Sequence, residues 1–355
     1  MKPMSRIAAL ASAISLVGGT VARAQQEPVS DRPFQEKWAP GEFGPEDKAG
    51  AVNRTTPALV LKAVKLVKQG KTATLGKLYA SDIPAFGARS WTLIIPGTPT
   101  GGPFGKSAMV YHDEFVATEI GQIGTQFDGP GHIGVRTSKG DFFYNGRIAS
   151  ETYERGAGGR VVGLGDLGVE HVAEKGFVCR GVLLDAPAYR GLSRLPIPNE
   201  PRSPGIITAA DVQAMVQRQG LAAIGEGDCV FLYTGHGDLW SNGQWKSLPA
   251  EEKARRRAEF SSGGPGFGLS ACRYLADRRV ILTGGDTGSN EAQPVGEAEG
   301  DSCHVELQTR RGIWNIENLD FTPLLKEKAY EFLFVWAPLK IVGGTGSPGN
   351  PVALW

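Results

Sequence analysis

After residue 24 the chain has no segment long and apolar enough to span a bilayer. It has no excess of charge of either sign, and only four cysteines in 355 residues. The first absence leaves no candidate for a later transmembrane helix. The second, a formal net charge of +1 from 38 basic and 37 acidic residues, removes the footprint of a nucleic-acid or polyanion binder and leaves a small neutral or anionic partner. The third excludes a disulfide-built scaffold, since a chain of this length can bury a large core. There is no Gly-x-Ser-x-Gly elbow, so a serine hydrolase lacks its usual nucleophile turn. Without an internal repeat or a Pro/Ser-rich seam, one compact α/β domain is expected.

The amino terminus does carry an address. Lys2 and Arg6 precede an apolar and small-residue stretch from Ile7 to Val21, and Ala22-Arg23-Ala24 then offers an Ala-x-Ala cleavage pattern. This predicts a signal peptide over residues 1–24, a mature chain starting at Gln25, and a secreted or periplasmic protein with no membrane attachment after processing. A retained anchor is the competing reading, but Ser12, Ser15, Gly18, Gly19 and Thr20 interrupt the run. Disulfides are possible in that compartment. Cys179 and Cys229, beside apolar runs, nevertheless read as buried thiols, and Cys303, adjoining His304 in an apparent strand, as a bystander on the opposite face.

The 49 glycines and 23 prolines are dispersed, which indicates structured loops. An extended arm is expected over 25–43. A helix is predicted from Pro57 to Gln69, capped by Thr56, with Leu59, Val60, Ala63, Val64 and Val67 on one face. A second follows Thr208, where Thr-Ala-Ala-Asp forms a capping box ahead of Val212, Met215 and Val216. Strands are predicted at 181–184, 229–233, 280–283, 332–336 and 339–342. Residues 239–267, with Trp240, Trp245 and the charged run Glu251 to Glu259, read as a surface excursion bearing a short helix.

Residues 122–132 read Gln-Ile-Gly-Thr-Gln-Phe-Asp-Gly-Pro-Gly-His. Asp128 and His132 thus stand four apart in a stretch too rich in Gly and Pro for a helix, and a carboxylate and an imidazole so placed suit metal binding and proton transfer. The run resembles the signature of the cyclase family of metal-dependent hydrolases, the family of bacterial kynurenine formamidase and isatin hydrolase. That pattern is His-x-Gly-Thr-His-x-Asp-x-Pro-x-His, and Gln122 and Gln126 replace two of its histidines. Further blocks agree in order: 44–53 (GPEDKAGAVN), 181–187 (GVLLDAP), 207–212 (ITAADV), 234–236 (TGH), 285–287 (GDT), 304–319 and 338–348 (PLKIVGGTGSP). The resemblance implies a swivelling β/β/α-type domain, a central mixed sheet flanked by helices, assembled as a homodimer or homotetramer.

Residue by residue, the resemblance implies Asp128, His304 and Glu317 as metal ligands and His132 as general acid/base. Glutamine offers a neutral oxygen, weaker than imidazole for zinc and better suited to manganese. Two carboxylates balance one divalent ion, so a single Mn²⁺ or Zn²⁺ is expected, with Gln126 either a fourth ligand or a partner of the bound water and Gln122 supporting from behind. His236 is a candidate for touching substrate or metal. Phe127, Tyr144 and Trp314 either line a pocket for a planar substrate or pack in the core. The implied activity is hydrolysis of a small amide, cyclic amide or lactone by metal-activated water. The alternative is an exported small-molecule binding protein that keeps the fold without the chemistry.

Overall fold

The computed structural model describes residues 28–296 and 302–355; the expected signal peptide lies outside the described residues. In chain order the strands that carry the architecture are β1 (Thr72–Thr74), β2 (Trp91–Ile94), β3 (Gly101–Phe104), β4 (Met109–Tyr111), β5 (Phe115–Thr118), β6 (Gln126–Asp128), β7 (Phe177–Asp185), β8 (Cys229–Tyr233), β9 (Leu282–Gly285), β10 (Trp314–Glu317), β11 (Glu331–Trp336), β12 (Gly346–Pro348) and β13 (Val352–Leu354). A nine-stranded mixed sheet has the order β1-β13-β11-β7-β8-β9-β10-β6-β12. Strands β7 to β10 pair in parallel. Antiparallel strands extend the sheet on both sides. The near-continuous apolar run of β8, Cys-Val-Phe-Leu-Tyr, suits a central parallel strand covered on both faces.

Helices α1 (Pro57–Val64), α2 (Ala209–Arg218), α3 (Ala250–Phe260) and α4 (Leu269–Asp277) flank this sheet or its insertion. The Thr56 hydroxyl accepts from Leu59 N, and Thr208 and Asp211 form the reciprocal capping box. Helix α1 stops at Val64, short of Gln69. Of its expected stripe only Ala63 is fully buried and Val64 is exposed, so little packing extends it. No strand forms over 339–342: Leu339 and Val342 are solvent-exposed and the chain turns there. The arm is not wholly extended, since Arg32–Gln35 forms a helical turn and Trp38 is buried.

Two further expectations are corrected. Residues 239–267 are more than a surface excursion, because Trp240, Trp245 and Phe260 build a second apolar core with Ile83, Ile123 and Leu239. All four cysteines are disulfide-bonded, Cys179 to Cys229 and Cys272 to Cys303. The parallel register that sets Gly181 opposite Cys229 brings Cys179 near enough to bridge two neighbouring strands. Cys303 lies at the start of a helical segment and not in a strand, so the alternating-face argument does not apply to it.

Strands β2 with β5 and β3 with β4 form two separate antiparallel ribbons. Leu93, Ile94, Phe104, Met109, Val110 and Phe115 are exposed on them.

Candidate metal centre

The centre forms where the parallel part of the sheet meets β6. That strand lies between β10 and β12, with Asp128 opposite Asn315 and Gly346, and Gln126 opposite Glu317 and Pro348. Strand alternation then places Gln126, Asp128, Asn315 and Glu317 on one face. Phe127 takes the other, packed on Phe177 and Trp336. After Asp128 the chain needs glycine for close packing: a Cβ on Gly129 would approach Thr345 O at 2.8 Å, and one on Gly131 would meet Leu164 at 2.5 Å. This tight turn brings His132 Nε2 to 3.6 Å from Asp128 Oδ1.

His304 arrives from the other side, at the start of the Val305–Thr309 π-helix, a rare geometry associated with functional sites. Its Nε2 lies 3.3 Å from Glu317 Oε1 and 3.6 Å from Asp128 Oδ2. One donor atom each from Asp128, His304 and Glu317 falls within a mutual 4.8 Å, which suits one cation. Asp128 Oδ1 is buried with no hydrogen-bond partner, and an orphaned carboxylate oxygen among these donors fits a metal ligand. Burial, reinforced by the Asp128 charge, pushes the Glu317 carboxyl up to about 8. Burial opposes charge on His304 too, but Glu291 and Glu317 outweigh it and raise its pKa well above the usual imidazole range. The pocket therefore favours positive charge, which a divalent ion also supplies.

Gln126 enters as a support: its amide nitrogen donates to Glu317 Oε2 at 2.8 Å. Gln122 is buried, its Nε2 3.5 Å from Thr345 Oγ1 and its Oε1 without a partner. The structure does not bring the aromatic candidates to the centre as a substrate wall. Phe127 faces the core, while Trp314 donates to Ala49 O and meets Tyr144 edge-on, and the Tyr144 hydroxyl donates to Asp47. His236 is turned into the insertion, stacked on Phe260 with Nε2 3.3 Å from the Phe260 carbonyl, and burial pushes it down to about 4.

Sequence reasoning missed several supporting side chains. Gln308 Nε2 donates to Asp128 Oδ2 at 3.2 Å, and Asn315 Nδ2 to Glu317 Oε1 at 2.7 Å. Glu291 Oε1 lies 3.0 Å from His304 Nδ1. Spacing held a signal for two of them, since Asn315 shares the alternation of Glu317 and Gln308 follows His304 by four residues. Glu291 lies on a loop 13 residues before His304, where no pattern marked it.

The family model described as "Putative cyclase" matches residues 53–292. No curated protein matches the sequence. Among solved structures, one described as a novel cyclase aligns with a TM-score of 0.70 at 28% identity, covering 89% of this chain and 98% of the other. Isatin hydrolase A from Labrenzia aggregata, bound to benzyl benzoate, aligns with a TM-score of 0.52 at 18% identity over 85% of this chain and 98% of its own. Isatin hydrolase A from Ralstonia solanacearum gives 0.52 at 22% identity, over 84% and 98%. The last two likenesses concern the fold.

Proposed function

The chain belongs to the putative cyclase family, and we propose that it is a metal-dependent hydrolase opening or cleaving a small amide, cyclic amide or lactone. The observation that carries this reading is the convergence of Asp128, His304 and Glu317, with Asp128 Oδ1 buried and left without a hydrogen-bond partner. A single Mn²⁺ or Zn²⁺ held by these three residues would supply Lewis acidity, which activates water near neutral pH and polarises a carbonyl. Gln308 and Asn315 orient the two carboxylates, and Gln126 holds Glu317 from its other oxygen. His132 has a partly exposed side chain with Nε2 3.6 Å from Asp128 Oδ1, which supports its role as the group that accepts and returns a proton.

Two disulfides support an exported protein working in an oxidising compartment. The exposed apolar ribbons β2–β5 and β3–β4 support self-association as a homodimer or homotetramer.

Elemental analysis of the purified mature chain beside Asp128→Ala tests the centre. About one Mn²⁺ or Zn²⁺ per chain, lost in the variant, is the expected result. Cyclic amides, with isatin first because fold neighbours are isatin hydrolases, and lactones are then screened for turnover that chelation abolishes and metal restores. Ligand binding without product, in a chain that takes up neither metal, would instead establish the binding-protein reading.

A further inference from the structure

We propose that Glu291 is the positioning residue of this centre, holding the His304 imidazole through Nδ1 so that Nε2 faces Asp128 and Glu317. This rests on the reading of Asp128, His304 and Glu317 as metal ligands. A planar ring held at Nδ1 has little freedom left at Nε2, so the 3.0 Å contact to Glu291 Oε1 sets where the opposite nitrogen points. A carboxylate on one imidazole nitrogen also makes the other a more basic ligand.

Glu291 is itself fixed. Ser302 Oγ donates to its Oε1 and Oε2 at 3.1 and 3.0 Å, the His304 backbone N–H to Oε2 at 3.3 Å, and Gln293 Nε2 to Oε1 at 3.3 Å. The preceding residue supports a different ligand. Asn290 Nδ2 donates to Asn315 Oδ1 at 2.9 Å, and Asn315 in turn holds Glu317. Consecutive side chains ordinarily diverge, but Asn290 adopts a left-handed conformation, φ 53°, so one tight turn serves both His304 and Glu317.

The test is the Zn²⁺ and Mn²⁺ dissociation constants, by chelator competition, of wild type, Glu291→Ala, Glu291→Gln, His304→Ala and the Glu291→Ala/His304→Ala double variant. Glu291→Ala should weaken binding about 10- to 100-fold. Glu291→Gln, which keeps an acceptor oxygen for Nδ1–H, should lose less. In the His304→Ala background, removing Glu291 should change affinity by less than about twofold, because its effect passes through the ring. Wild-type affinity in Glu291→Ala, or a loss that persists without His304, would overturn the assignment. Should Glu291→Ala fail to fold, the Gln series gives the same cycle. A wild type that binds neither metal would instead overturn the ligand reading on which the assignment rests.

Discussion

Asp128 and Phe115 both break the ordinary inside–outside rule, one as a buried charge and the other as an exposed ring. Around Asp128 the sheet has organised amides, an imidazole and a second carboxylate, yet Asp128 Oδ1 is still left without a hydrogen-bond partner. Around Phe115 the backbone is paired but the side chains are left uncovered: β2–β5 and β3–β4 present Leu93, Ile94, Phe104 and Met109 to solvent. Burying an unpaired charge costs several kcal/mol, and exposing apolar surface forfeits about 25 cal/mol per Å². Each region is thus out of balance, and the proposed cation in one and the proposed self-association in the other would restore it.

The most severe way to break this comparison is to remove the orphaned charge. Asp128→Ala should abolish metal uptake and lower kcat/KM at least ~10³-fold, about 4 kcal/mol of barrier; retained turnover would mean the buried carboxylate serves another purpose. A buried polar group that needs no ligand supplies the contrast. His236 is held near 4 in the folded state by burial, against an ordinary value near 6.5. Between those values the unfolded chain takes up a proton that the folded chain refuses, so stability should fall by about 3 kcal/mol as pH drops from about 6.5 to 4. Urea unfolding across that range, with His236→Gln showing a shallower slope, checks it.

On the apolar side, Phe115→Ser should weaken self-association by about 2 kcal/mol, roughly 30-fold in the dissociation constant. Sedimentation should show lighter species with metal content unchanged; simultaneous loss of the metal would show that the two regions are not independent. The smallest effect is expected at Gln126. Its alanine variant removes one hydrogen bond to Glu317 and should weaken the ion about tenfold, seen in the same chelator competition.

Much of the sheet was legible because central strands are continuous apolar runs and because Thr56 and Thr208 announce their helices. Asp128 and His132 were legible from their spacing in a Gly/Pro-rich turn, whereas the roles of His304 and Glu317 came only through resemblance, since the antiparallel pairing of β6 with β10 unites residues far apart in sequence. Where local pattern and tertiary context diverged, pattern failed. Residues 339–342 have strand composition but no neighbouring strand, and the α1 stripe reaches an exposed Val64, where the helix ends. The disulfides were illegible because pairing depends on register between elements 50 and 31 residues apart.

The bridge between Cys272 and Cys303 also bears on the order of maturation. Cys303 immediately precedes His304, so the bond to α4 anchors the backbone from which that imidazole projects. In a chain that crosses the membrane unfolded and meets its oxidant on the far side, thiol pairing would come before a well-placed imidazole. The metal supply of the destination, and not that of the site of synthesis, would then decide which ion the finished protein carries.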